Sequence, residues 1–240
     1  MAISDSFVAV IPAAGKGQRL GGIKPKQYLE LGGITILEAS TKYILKEKSC
    51  KGVCIVINNN DKYWNTLTLV DHPKIFFIEG GETRMQSSIN GVNFWLNKGT
   101  EFNNILVHDA VRPCLTNIDL VNLLNSFNRA KRRELIDGMI LATKCKDTIK
   151  VIKKNSLLIE RTIDRETLWQ ASTPQIFTKE AFIQALSFYK TRNDRFTDES
   201  SLIESSGGIV NLLEGSSSNI KITTKEDLIF AKIIISNKRK

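Results

Sequence analysis

The sequence predicts an α/β domain with a largely parallel central sheet, and three observations predict it. β-branched runs alternate with segments of helical period, the order of βαβ units. A glycine-rich loop follows the first of those runs, the place where open α/β sheets bind ligands. The chain has 240 residues, 42% apolar and 25% charged, which is long for one ordinary domain, short for two, and apolar enough to bury a core.

Taken in order, Phe7 to Pro12 reads as the first strand, running into the glycine-rich loop. A helix follows whose face carries Ile36, Leu37, Tyr43 and Ile44. Val53 to Ile57 and Lys74 to Ile78 read as the second and third strands. Met85, Ile89, Val92 and Leu96 mark the helix after Gly80-Gly81. Ile105 to His108 is the next strand. Thr116 with Asp119 three residues on resembles a capping box and starts a helix bearing Leu120, Leu123, Leu124 and Phe127. Gly138 to Thr143 returns as a strand.

The segment from Lys146 to Arg165 breaks the alternation. Two strand-like runs, Thr148 to Ile152 and Leu157 to Ile163, flank a polar turn at Lys154, Asn155 and Ser156. They read as a hairpin arm projecting from a single domain that spans residues 1–240. Beyond it come a helix near Ala181 to Tyr189, a short helix after Asp198, a strand at Ile209 to Leu213, and a last helix opened by Thr224 and Asp227.

Thirty-four Lys and Arg against 25 Asp and Glu leave a net charge of +9, which suits nucleic acid, anionic lipid or small phosphorylated molecules. The basic residues are scattered and are not interleaved with aromatics, so a small polyanion is favoured over a nucleic-acid strand. Cys50, Cys54, Cys114 and Cys145 show no C-x-x-C spacing and read as thiols of a reducing compartment. The start has no basic n-region, and Lys232 interrupts the apolar stretch from Leu228 to Ile235. A cytoplasmic protein with no membrane or nucleic-acid partner is expected.

The strongest chemical signal is the loop Pro12-Ala13-Ala14-Gly15-Lys16-Gly17-Gln18-Arg19-Leu20-Gly21-Gly22, followed by Lys24-Pro25-Lys26-Gln27. Small residues such as Ala13, Ala14, Gly15 and Gly17 let consecutive backbone N–H groups approach phosphate oxygens, and Arg19 and Lys26 add mobile positive charge. The loop lacks the G-x-x-x-x-G-K-[ST] pattern, and Leu20 stands where a dinucleotide fingerprint needs its third glycine. A turn that merely needs glycines at positive φ would look similar.

A second signal is Val107-His108-Asp109-Ala110-Val111-Arg112-Pro113, with Asp109 at the C-terminal end of a strand. A carboxylate there can hold Mg²⁺ while substrate phosphates complete the shell, which makes Asp109 the candidate metal ligand. A loop carboxylate paired with Arg112 is the competing reading, and His108 reads as a core or boundary residue. Serine-type hydrolysis finds no support, since there is no G-x-S-x-G elbow and only two histidines.

The chain resembles the 2-C-methyl-D-erythritol 4-phosphate cytidylyltransferases, on motifs that occur in order along nearly its whole length. They are Pro-Ala-Ala-Gly-Lys-Gly-Gln-Arg from Pro12, Pro-Lys-Gln-Tyr-Leu from Pro25, Gly-Gly-Glu-Thr-Arg-Met-Gln-Ser from Gly80 and His-Asp-Ala-Val-Arg-Pro from His108. Thr-Ile-Asp-Arg from Thr162, Thr-Pro-Gln from Thr173, Thr-Asp-Glu from Thr197 and Asn-Ile-Lys from Asn219 complete the set.

The resemblance implies a Rossmann-like nucleotidyltransferase sheet, a Mg²⁺ requirement, and a homodimer whose arms interlock. It implies that Arg19 and Lys26 stabilise the transition state on the triphosphate of CTP. Ala13, Ala14, Gly81, Glu82 and Ser87 would lie around the nucleotide, with Glu82 in place of the Asp expected in that loop. Arg112, Thr148, Arg165, Thr173 and Lys221 would hold and aim the polyol phosphate, and Asp109 would correspond to the metal-binding Asp. A phosphate monoester is mostly dianionic at neutral pH and can attack without an enzymic base, so the scarcity of histidine is no obstacle. Two alternatives are a ribitol 5-phosphate cytidylyltransferase, against which the Pro-Ala-Ala-Gly loop argues, and a non-catalytic nucleotide- or nucleic-acid-binding protein on the same fold.

Overall fold

The first strand, β1 (Phe7–Pro12), meets protein on both faces, and Phe7 through Ile11 have no solvent exposure. In the computed structural model, which describes residues 5–15, 24–191 and 196–237, this strand lies inside a seven-stranded sheet. Its side chains alternate between two cores: Phe7, Ala9 and Ile11 join one cluster while Val8 and Val10 join the other. Period-two alternation with apolar residues on both faces is what a central strand covered by helices on each side requires.

After β1 a short hairpin, β2 (Glu30–Leu31) and β3 (Ile34–Thr35), leads into α1 (Ile36–Lys46). Thr35 and Glu38 form a reciprocal capping box there, satisfying two of the backbone donors that a helix start leaves unpaired. Then come β4 (Cys50–Ile57), β5 (Ile75–Glu79), α2 (Arg84–Asn97), β6 (Asn104–Val107), α3 (Asn117–Glu134) and β7 (Gly138–Lys144). Each strand matches a run expected from the sequence, with β4 starting three residues earlier than the expected Val53. Thr116 caps α3 by accepting the Asp119 N–H, as its spacing predicts.

The hairpin arm is present as β8 (Ile149–Ile152) and β9 (Ile159–Ile163), which form a two-stranded antiparallel sheet of their own. Leu157, Leu158 and Ile159 on it are largely exposed, Leu157 by 92%. The chain continues through β10 (Trp169–Thr178), α4 (Lys179–Lys190), α5 (Glu199–Ser205), β11 (Val210–Glu214) and α6 (Lys225–Asn237).

The sheet order is β11-β7-β10-β6-β1-β4-β5, and all neighbouring pairs are parallel except those of β10, which runs antiparallel to β6 and β7. This strand is not expected from the sequence. Its register against β7 jumps between Ala171 and Gln175, so the residues around Pro174 bulge out of the ladder. A bulge is what lets a proline sit inside a sheet, and the polar run Gln170 to Gln175 hides the strand from pattern reading.

The two clusters pack on opposite faces, with α1 and α3 over one and α2, α4 and α5 over the other. Trp95 of α2 is buried against the sheet, and its indole N–H donates to Ala9 O at 2.9 Å. A third, smaller cluster joins Ile36, Val111 and Ile222 to Ala231 of α6. Cys50, Cys54 and Cys114 are buried and all four thiols are free; burial pushes Cys50 up to about 12. Among the described residues no helix is long and apolar enough to cross a membrane.

Candidate active site

From β1 the chain builds outward through β4 to β5 on one side and then returns to β6 on the other. The loops leaving β1 and β6 therefore diverge, opening a crevice at the C-terminal strand ends. Ala13, Ala14 and Gly15 after β1, Gly81 to Arg84 before and at the start of α2, Asp109 to Val111 after β6, and the side chains of Lys26, Ser87 and Lys221 line it.

The β1 loop is held from beneath. Lys26 to Tyr28 form one 3₁₀ turn that aims Gln27 inward, where its amide donates to Ala13 O at 2.7 Å and to Gly15 O at 3.2 Å. On the other wall Gly80 approaches so closely that a Cβ on it would stand 2.6 Å from the Ala14 Cβ and 2.7 Å from Ser87 Oγ. Only a residue without a side chain keeps both walls in register. Ser87 Oγ accepts the Gly81 N–H at 3.2 Å and donates to Thr83 O at 3.0 Å, which fixes the loop leading into α2. Thr83 caps that helix, whose N-terminus faces an anion favourably.

The third wall is charged. Asp109 carries three cations: Arg84 at 2.9 Å on Oδ1, with Lys221 at 3.0 Å and Arg112 at 3.2 Å on Oδ2. Burial alone would raise the Asp109 carboxyl, but the Arg84, Lys221 and Arg112 charges reverse this and hold it well below the usual carboxylate range. Burial lowers the Arg112 guanidinium, with the Asp109 charge opposing. Arg84 also reaches the fully buried Glu199 at 3.0 Å. Burial acts to lower its guanidinium, and the charges of Glu199 and Asp109 more than offset that, so it is raised. Lys26 Nζ donates to Ile222 O at 2.9 Å, which ties the Lys221 segment to the β1 loop.

Behind Asp109 lies a buried polar layer. The β10 bulge brings Thr173 Oγ1 to accept the Asp109 N–H at 3.0 Å, and the same hydroxyl meets His108 Nδ1 at 3.0 Å. Asn219 donates to Thr173 O at 2.8 Å while its own carbonyl accepts from Arg112 at 2.8 Å. Burial pushes the His108 imidazole down to about 4, so it is neutral at physiological pH. An unfolded chain protonates this histidine at about pH 6.5, so stability should fall as the pH drops from about 6.5 to 4, by roughly 3 kcal/mol in all. Urea midpoints across that window should show the slope, and His108→Gln should flatten it. Asp109, a lowered carboxyl, adds its own loss only below about pH 4.

The crevice thus gathers Ala13, Ala14, Gly15, Lys26, Gly81, Glu82, Ser87, Asp109 and Lys221, and Arg112 joins through Asp109. The competing reading of Asp109, an ion pair with Arg112, is also realised, as one of three pairs. Thr173 lies behind Asp109, 3% exposed, with its hydroxyl accepting the Asp109 N–H and meeting His108 Nδ1. Thr148 and Arg165 do not reach the crevice of their own chain; both are exposed on the arm, where Arg165 donates to Lys146 O. Arg19 and Gly17 lie outside the described residues. Gln27, Arg84 and Glu199 were not expected. Each sits inside a run that carries the family resemblance, but their roles depend on partners distant in sequence.

As a Mg²⁺ site, the wall offers one hard carboxylate, the donor type that ion takes when phosphates and water fill its other positions. Asp109 fits by chemistry, as a hard carboxylate that lines the crevice.

Fold and crevice together are those of a nucleotidyltransferase. The family model for IspD, 2-C-methyl-D-erythritol 4-phosphate cytidylyltransferase, matches residues 7–237. The chain is 41% identical to the enzyme of that name from Pseudomonas fluorescens over 238 residues, covering 98% of this chain and 97% of the relative. It is 37% identical to the Vibrio vulnificus enzyme over 234 residues, covering 98% and 96%. The crystal structure of the Francisella tularensis enzyme superposes with a TM-score of 0.76 at 31% identity, over 95% of this chain and 99% of that one. The chain belongs to the 2-C-methyl-D-erythritol 4-phosphate cytidylyltransferase family.

Proposed function

We propose that this chain transfers the cytidylyl group of CTP to the phosphate of 2-C-methyl-D-erythritol 4-phosphate and releases pyrophosphate. The observation that carries the reading is a crevice lined by small residues, the cations Lys26, Arg84 and Lys221 and the Asp109 carboxylate, with the nearby histidine buried and neutral. Such a site suits a nucleophile that arrives already ionised. A phosphate oxygen of the polyol phosphate forms the new bond to the α-phosphorus as the bond to the β-phosphate oxygen breaks, and the leaving electrons settle on pyrophosphate.

In this reading the Ala13 to Gly15 loop and the α2 N-terminus receive the nucleotide, and Gly81, Glu82 and Ser87 border its base and ribose. Lys26, with Arg19 from the same loop, neutralises charge developing on the triphosphate. Lys221 and Arg112 orient the incoming phosphate, so that alignment of two polyanions supplies much of the rate. Mg²⁺, held by Asp109 and triphosphate oxygens, would add charge neutralisation on the leaving pyrophosphate.

Thr148 and Arg165 complete the site only if the arm serves a second copy, so the reading includes a homodimer with the segment 146–165 as its dimerisation arm. An isolated two-stranded ribbon with exposed Leu157 and Leu158 needs such a partner surface. Free thiols and soluble phosphorylated substrates fit a cytoplasmic setting.

Pyrophosphate release by the purified protein tests the assignment, with each nucleoside triphosphate offered alongside methylerythritol phosphate or ribitol 5-phosphate. Mg²⁺-dependent turnover is expected with CTP and methylerythritol phosphate. Equal or faster turnover of ribitol 5-phosphate would overturn the acceptor, and comparable use of all four nucleotides would overturn the base-loop assignment.

A further inference from the structure

We propose that Glu199 is a positioning residue for the transfer: by clamping Arg84 it fixes Asp109 and, through Asp109, the Lys221 ammonium at the crevice wall. The proposal rests on the cytidylyltransferase reading. Glu199 is the first residue of α5 and has no solvent exposure. Its neighbours are pinned from the sheet, for Gln175 of β10 donates to Asp198 at 2.8 Å and accepts the Ser200 N–H at 3.1 Å. Both Glu199 oxygens are taken by Arg84, with Nη1 at 3.0 and 3.1 Å and Nη2 at 3.2 Å.

That fork leaves Arg84 only one way to turn its remaining donors. Nε at 3.0 Å and Nη2 at 2.9 Å both meet Asp109 Oδ1, so Oδ2 is left for Lys221 and Arg112. A fork held at both carboxylates has a fixed plane, which is the geometric use of Arg over Lys. A pair whose only task was to staple α5 to α2 would not require Arg84 to line the crevice beside Asp109 and Lys221, as it does. The charge count agrees. Arg84, Arg112 and Lys221 face two carboxylates, and Glu199 is the one that matches Arg84. Without it Arg84 would keep its whole charge for Asp109 or for an arriving phosphate, in competition with Lys221.

The test is a double-mutant cycle between Glu199→Gln and Asp109→Asn, read as kcat and KM for each substrate alongside the melting temperature. Turnover by the wild-type protein is the control, and its absence would sink the cytidylyltransferase reading itself. Given that turnover, Glu199→Gln should lower kcat/KM for methylerythritol phosphate by about tenfold or more and change KM for CTP by less than about threefold. In the Asp109→Asn background the same change should cost less than about threefold, because its intermediary is gone. Equal losses in both backgrounds, or a Glu199→Gln enzyme that matches wild type, would overturn the proposal. If Glu199→Gln does not fold, the Arg84→Gln/Glu199→Gln protein removes both charges together and should show the same loss. Wild-type activity in that variant would refute positioning, and failure of both proteins to fold would make the pair a staple and end the proposal.

Discussion

Lys26→Ala should lower kcat by on the order of 10²- to 10³-fold, the scale of a lost donor that acts where charge develops in the transition state. Its ammonium stands in the crevice, 2.9 Å from Ile222 O, on a turn whose neighbour Gln27 does the structural work of holding the β1 loop. The substitution should lower the melting temperature only modestly beside that loss of rate, since Lys26 is half-exposed and the hydrogen bond it gives Ile222 O is worth on the order of 1 kcal/mol. Lys26→Arg should not restore the rate, because a planar fork cannot replace a compact ammonium in the same space. Stopped-time assays at saturating CTP and polyol phosphate separate the outcomes. A near-wild-type kcat for Lys26→Ala would reduce the loop to a turn that happens to carry lysine.

The second large effect is a recovery. Lys26→Ala and Arg165→Ala proteins should each be nearly inactive alone, yet activity should reappear when the two are unfolded, mixed and refolded together. Arg165 is exposed on the arm and makes no contact with its own crevice, so the proposed dimer brings it to the site of the second chain. A mixed dimer with crossed arms then contains one doubly altered site and one unaltered site. If each arm instead serves its own subunit, every site carries one lesion and the mixture stays at the level of its parents. That result would remove the shared site and leave the chemistry intact.

The parts of this molecule legible in the sequence are those set by local pattern. β1, β4, β5, β6 and β7 are runs buried on at least one face and read as such, and the arm shows itself by breaking the alternation. β10 was hidden because a central strand is defined by two neighbours, and neither its proline nor its polar residues carry a strand pattern until a bulge absorbs them. The site divides in the same way. Ala13 to Gly15, Lys26 and Asp109 announce themselves because loop composition and strand-end position are local facts. Glu199 is a carboxylate 90 residues from Asp109 in the chain, and Arg84 lies in a run whose obvious feature is its glycines. Their meaning comes from one guanidinium bridging two buried carboxylates, which no spacing rule encodes.

β7 and β10 have a structural consequence. The arm leaves at the end of β7 and returns at the start of β10, and these two strands are hydrogen-bonded to each other from Trp169 opposite Lys144 inward, with Cys145 N–H donating to Leu168 O at its root. The arm is thus rooted in a ladder built into the middle of the sheet, while its own strands β8 and β9 pair apart from that ladder. Within the same strand, Thr173 lies beneath Asp109 and Gln175 beside Glu199. The strand that roots the arm therefore also floors the crevice, so the segment beneath Asp109 and the base of the arm are one stretch of chain.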